Sequence, residues 1–157
     1  MGEITFRRAR RADVPAVLAL LRDDALGALR ETGNEASYLA AFDAMEAEAA
    51  NHLIVGVDAA GRVVATYQLT FISGLSLRAT RRAQMESLRV AADLRGQRLG
   101  ERMMADAEQR ARAAGCGLLQ LTTNAARGDA RRFYERLGFT ASHIGYKREL
   151  NAEEIAP

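Results

Sequence analysis

Two β-branched runs, HLIVGVD at 52–58 and RVVATYQLTFI at 62–72, are separated only by Ala59, Ala60 and Gly61. Their content of Val, Ile, Thr and Tyr and the short glycine-bearing connection predict an antiparallel hairpin. A hairpin needs a partner layer, and the flanking sequence supplies helices. Upstream, EITFRR at 3–8 alternates polar and apolar residues and reads as a short strand. Asp13 then caps a helix with Pro15 in its first turn and a stripe of Val14, Val17, Leu18 and Leu21. The pattern weakens through Gly27 and Gly33, as in a loop or broken helix, and recovers helical spacing at Tyr38, Phe42, Met45 and Ala49.

Downstream of the loop that contains Gly74, a third strand is predicted from Gln84 to Val90, followed by a glycine-bearing turn and a long helix from about Gln97 to Ala113. Leu99, Met103, Ala107 and Ala111 make one side of that helix apolar. A strand GLLQLTT follows, then a helix ending ERLG with Ala130, Phe133, Tyr134 and Leu137 on one side and Gly138 as its stop, then a strand region from about Phe139 to Leu150. This order predicts one α+β domain over residues 1–157, with a mixed, mainly antiparallel sheet flanked by helices.

The 157 residues are 48% hydrophobic, enough for a core, and exclude a disordered or collagen-like chain. The 22 basic residues nearly cancel against 20 acidic ones, so the charge of +2 gives no case for wrapping nucleic acid. One cysteine, Cys116, allows no internal disulfide, and two histidines, His52 and His143, make no metal site without carboxylate help. No metal is expected. The chain opens MGEITFRR without an apolar run of leader length, and no segment is apolar enough to span a membrane, so a cytoplasmic protein without membrane partners is expected.

The segment Val90-Ala91-Ala92-Asp93-Leu94-Arg95-Gly96-Gln97-Arg98-Leu99-Gly100 runs from a strand through a tight turn into an amphipathic helix. Helix starts present unbonded N–H groups and positive dipole ends, and glycines admit a phosphate close to the backbone. The turn is predicted to bind a pyrophosphate; otherwise its glycines only shape a connection. It is neither a Walker A sequence nor a dinucleotide fingerprint.

With its neighbours, this segment resembles motif A of the GNAT superfamily of N-acetyltransferases, R/Q-x-x-G-x-G/A: Arg95 and Gly100 match, and Arg98 stands where a glycine is usual. Ala130-Arg131-Arg132-Phe133-Tyr134-Glu135-Arg136-Leu137-Gly138-Phe139 is similar to the family's motif B, A-x-x-F-Y-E-x-L-G-F. The asparagine often found three residues before that alanine is replaced by Arg127, with Asn124 nearby as a candidate for the same cofactor contact. The resemblance implies that acetyl-CoA binds, as a cosubstrate, in a cleft where two central strands splay. Backbone groups of Leu88, Arg89 and Val90 would meet its pantetheine amides. The amides of Gly96, Gln97, Arg98, Leu99, Gly100 and Glu101 would hold the pyrophosphate, with the Arg95 and Arg98 side chains as lesser contributors.

Acetylation of an amine needs a neutral nitrogen and a proton donor for the departing thiolate. Simple alternation puts Glu86 on one face with Leu88 and Val90, an apolar setting of the kind that makes a carboxylate a better base. Its place nine residues before Arg95 also resembles that of the base in polyamine-type members of the family. A structural carboxylate bonded to backbone or to Arg82 is the alternative. Tyr134, beside the thiol position that motif B implies, is the candidate acid; a packed core tyrosine is the alternative, and both roles are compatible.

Other residues carry weaker signals. Cys116 reads as a small apolar residue, His143 as a strand residue that faces either the acceptor or the structure, and His52 as a surface residue at a strand start. Asp23 and Asp24 either attract an ammonium group or end a helix in water, and Arg30 and Tyr38 fall in the same region, which borders the acceptor site in the resembling family. Arg78, Arg81 and Arg82 read as a solvated strand edge, or as a contact for an acidic acceptor or a nucleotide. The expected activity is direct transfer of an acetyl group to a primary amine of a small molecule. The alternatives are a protein amino group as acceptor, and a non-catalytic acyl-CoA sensor. A homodimer through the terminal strands or an exposed helix is compatible with the sequence.

Overall fold

The hairpin at the centre of the sequence is the centre of a five-stranded sheet. Its strands are β1 (Ile4–Arg8), β2 (Asn51–Asp58), β3 (Val63–Ile72), β4 (Arg82–Val90) and β5 (Leu118–Leu121). They lie side by side in chain order. Neighbours are antiparallel as far as β4, and β5 joins β4 in parallel. The structure, a computed structural model, describes residues 2–23, 25–124, 128–148 and 150. They divide into two units, 1–121 and 122–157.

In the first unit the strand period of two sorts side chains between two helical layers. Tyr67 of β3 is fully buried and its hydroxyl donates to Asp106 of α5 (Leu99–Ala113), so Ile54, Leu69 and Met85, which share its face by register, also point to α5. Asp106 Oδ2 accepts as well from Arg110 Nε at 2.7 Å. Arg110 and Arg102 reach over the sheet to donate to the carbonyls of Phe6 and Ile4. On the opposite face Val55 packs with Val14 and Val17 of α1 (Val14–Arg22) and with Phe42 of α3 (Glu35–Ala47). Between these helices lies a short α2 (Ala25–Arg30).

Gly56 marks a close approach in the sheet. It stands between Phe6 of β1 and Ala65 of β3, and a Cβ there would lie 2.8 Å from the Phe6 ring and 3.1 Å from the Ala65 methyl.

Several local expectations are corrected. Asp13 stands at the start of α1 but its carboxylate makes no cap there. It accepts from the Arg10 amide and takes both guanidinium nitrogens of Arg7, at 2.7 and 3.0 Å, because the preceding 3-10 turn (Arg11–Asp13) brings those donors closer. The third helix stops at Ala47 instead of reaching Ala49, which has φ of 56°. Between β3 and β4 a single turn, α4 (Ser76–Ala79), takes left-handed dihedrals at Leu77 and Arg78.

In the second unit α6 (Gly128–Arg136) ends at Gly138, whose φ of 85° is the left-handed stop that its glycine allows. Residues 139–148 form no strand, contrary to the expectation from 139 to 150. Alternation marks a chain fit for a ladder, but a ladder also needs an edge to join, and Ile144 and Tyr146 stay exposed instead of packing a face.

Candidate active site

The parallel ladder between β4 and β5 begins at Arg82↔Leu118 and stops at Met85↔Leu121. β4 runs five residues further, to Val90, so its edge over 86–90 extends past the end of its neighbour. This stretch of β4, which carries the main-chain groups of Leu88, Arg89 and Val90, has no ladder with β5.

The same stretch contains a β-bulge that alternation alone does not show. Gln68 pairs with Glu86, yet Thr66 pairs with Arg89, so β4 spends three steps where β3 spends two. Ser87 absorbs the extra residue with φ of 53°. The bulge reverses the faces beyond it. Glu86 shares a face with Gln68, Thr66 and Arg89, on the α1 side, whereas Val90 pairs with Ala65 on the α5 side. The grouping of Glu86 with Leu88 and Val90 is therefore corrected, and so is its apolar setting: Glu86 is exposed. The Leu88 carbonyl accepts from Arg89 Nη1 at 3.0 Å.

After β4 a 3-10 turn (Ala92–Leu94) leads into residues 95–98 and the start of α5 at Leu99, two residues later than expected. Gly96 has φ of 75° and Arg98 has φ of 62°. The first amides of the helix have no acceptor within it, and the left-handed Arg98 sits directly before them. Arg98 thus takes the left-handed conformation at the position where motif A carries glycine. Its side chain is exposed and pairs with Glu101 at 2.7 Å. Arg95 donates from Nε to the Val90 carbonyl at 3.2 Å and from Nη2 to Asp23 Oδ2 at 2.8 Å, which ties the turn to the end of α1. Asp23 therefore holds an arginine, a link no spacing rule announces across 72 residues. Beside the turn, Asp93 pairs with Arg62, whose guanidinium holds its carboxyl below the usual carboxylate range.

On the Glu86 face a cavity of about 110 Å³ opens between α1, α3 and the sheet, lined by apolar side chains and by Thr66, Gln68 and Ser87. Tyr38, at its margin, donates to Glu31 Oε2 at 2.9 Å, and burial followed by that bond pushes its phenol up. Sequence reasoning placed Tyr38 near the acceptor but missed Thr66, Gln68 and Ser87, because the lining converges from five elements.

The second unit holds Tyr134 and Asn124. Tyr134 is half-buried, with its ring edge-on to Phe133 and Phe139 at 5.3 and 6.1 Å, and Asn124 is exposed. Asp24 and Arg127 lie outside the described residues. His143 is exposed beside Ser142, and His52 lies edge-on to Phe71. Arg81 is half-buried, donates to the Ala114 carbonyl at the end of α5 and covers the Phe71 ring, so it is not a solvated edge residue. Cys116 is a half-buried free thiol that burial pushes up, which disfavours a nucleophile. Among the described residues no group of three or more His, Cys, Asp and Glu is placed to hold a metal, and no helix is long and apolar enough to cross a membrane.

Residues 15–139 match the profile of the Acetyltransferase (GNAT) family. The chain belongs to that family. Within it, a 67-residue stretch is 42% identical to aminoalkylphosphonate N-acetyltransferase of Salmonella typhimurium; it spans 43% of this chain and 44% of that relative, less than half its length. A solved structure described as a transcriptional regulator from Bacillus halodurans is 38% identical, covers 94% of this GNAT chain and is itself covered in full, with a TM-score of 0.89. Glucosamine-6-phosphate N-acetyltransferase from Arabidopsis thaliana shares the fold at a TM-score of 0.77 over 95% of this chain and 99% of its own, with 18% identity.

Proposed function

We propose that residues 1–157 act as one cytoplasmic N-acetyltransferase domain that moves an acetyl group from acetyl-CoA to the primary amine of a small molecule, by direct attack in a ternary complex. The observation that carries this reading is the stretch of β4 that continues past the end of its ladder with β5 and runs into a turn with two left-handed residues at a helix start. Main-chain donors and acceptors along an extended strand suit the amides of a pantetheine arm, and the amides of a helix start suit a diphosphate. Family membership and the N-acetyltransferase relative support the same reading.

Bound acetyl-CoA supplies an activated acyl thioester. The chain's residues do the rest. Leu88, Arg89 and Val90 orient the arm by their backbone, and residues 96–101 hold the phosphates. The tie of Arg95 to Asp23 fixes the turn, which ranks its side chain below the amides as a phosphate ligand. Glu86, exposed at the bulge, accepts the ammonium proton through water, because a carboxylate beside solvent relays a proton without touching nitrogen. Tyr134 donates its phenolic proton to the leaving sulfur.

The test is thiol release across a panel of amines, with calorimetry for coenzyme binding. Glu86→Gln and Tyr134→Phe are each expected to lower kcat by about 10²-fold or more at unchanged coenzyme affinity. Full activity in both variants would remove their roles. One observation favours a second reading, a sensor that binds acyl-CoA without turnover: the Bacillus halodurans relative is described as a transcriptional regulator. Coenzyme binding with no thiol release from any amine would select it.

A further inference from the structure

The cavity on the Glu86 face is sharply two-sided. Val14, Val17, Leu18, Leu21, Phe42 and Leu53 make its floor and walls apolar; of its polar lining, Thr66, Gln68 and Ser87 gather on β3 and β4, and the Tyr38 hydroxyl on α3 is engaged by Glu31. Those polar groups are already oriented. The Thr66 hydroxyl donates to the Ile54 carbonyl at 3.0 Å, and Gln68 Nε2 donates to Asn51 Oδ1 at 2.9 Å. What Gln68 has left to offer a ligand is its carbonyl oxygen, an acceptor for N–H, together with its second amide N–H. Ser87 is the bulge residue itself, adjacent to Glu86, and Glu86 is the cross-strand neighbour of Gln68 on the same face.

We infer that this cavity receives the non-reacting part of the acceptor, and that the acceptor is a primary amine carrying a compact, branched apolar group. The inference rests on the acetyltransferase reading above and adds the substrate class. An ammonium or amine held at the polar end lies at the strand that bears Glu86, and its tail then points between α1 and α3. At about 110 Å³ the space is smaller than the cavity of about 150 Å³ that holds benzene, so it suits the branched end of a chain, roughly three or four carbons. No arginine or lysine is among the lining residues, and Arg89, opposite Thr66 on the same face, donates to the Leu88 carbonyl, so an anionic tail such as a phosphonate meets no counter-charge in the lining itself and leaves its hydration shell at a cost. This sets the expected acceptor apart from the one in the name of the Salmonella relative.

The experiment compares kcat/KM for 3-methylbutylamine, ethylamine and aminomethylphosphonate in the wild type and in Ala41→Phe. Ala41 lines the cavity from an exposed position on α3, so a ring placed there narrows the cavity mouth without replacing a buried residue. In parallel, thermal melting with 3-methyl-1-butanol, a probe that carries the same tail but no amine, reads tail binding independently of chemistry. The inference expects 3-methylbutylamine to be favoured over both other amines at least tenfold, and Ala41→Phe to bring that ratio close to one and abolish the melting shift. Equal or better use of ethylamine or aminomethylphosphonate, or a ratio unmoved in Ala41→Phe, overturns the cavity assignment and leaves acetyl transfer standing. No thiol release from any amine, with a melting shift present in the wild type and lost in Ala41→Phe, overturns the transfer reading and keeps the cavity. Absence of both signals overturns both.

Discussion

A single dihedral angle at Arg98 joins the sequence pattern to the chemistry. A left-handed conformation costs an L-residue about 1–2 kcal/mol, and glycine avoids it. Arg98→Gly is therefore expected to raise stability by about 0.5–1 kcal/mol, after allowance for the more flexible unfolded chain. Arg98→Ala keeps the strained φ and loses only an exposed ion pair, so it should change stability by less than about 0.5 kcal/mol. Urea midpoints of the two variants separate backbone strain from charge. Both keep the amide, and both should bind CoA within about threefold of the wild type; a tenfold loss would make the guanidinium a phosphate ligand. Asp13 gives a pH dependence with a definite sign. Hydrogen bonds from Arg7 hold its carboxyl below the usual carboxylate range, opposed by partial burial. Its folded value lies below the unfolded one near 3.9, so its stabilisation is present above that pH and is lost as acid takes the pH down through the folded value. Asp13→Asn should cost about 1–2 kcal/mol at pH 7 and much less at pH 2, a difference that denaturation at the two pH values measures.

At the scale of elements, the strand-to-helix turn and the long helix were legible because their signals are local. Leu99, Met103, Ala107 and Ala111 are all buried, and Gly96 has the positive φ that its place in the turn requires. The bulge in β4 was not legible. A period of two assumes that no residue is added, and serine at 87 carries no mark of one; only the pairing with β3 shows the slip. The consequence is functional, since the bulge puts Glu86 on the α1 face with Gln68. The fit of β2 into the sheet is testable through Gly56. Gly56→Ala sets a methyl 2.8 Å from the Phe6 ring and should cost about 1–3 kcal/mol, read as a lower thermal midpoint. The double variant with Phe6→Leu should recover part of it. An unchanged midpoint in the single variant would mean that Phe6 moves aside freely.

For the molecule as a whole, the element order as far as α6, the mixed sheet and the family were within reach of the sequence, because the two motifs sit on strand–turn–helix and helix–stop patterns that hydrophobic spacing reveals. The Arg95–Asp23 tie and the cavity were out of reach, because each joins residues far apart in the chain that meet only after the sheet and helices assemble. The near balance of charge has its own consequence. Coenzyme binding that relies on main-chain amides should weaken with salt far less than binding through a basic surface. The most direct test of the account is isothermal calorimetry of the folded protein with CoA at low and moderate salt. It predicts one site per chain, heat that persists at both salt concentrations, and a higher melting temperature at saturating CoA. No heat with CoA or with acetyl-CoA, and no melting shift, would contradict it.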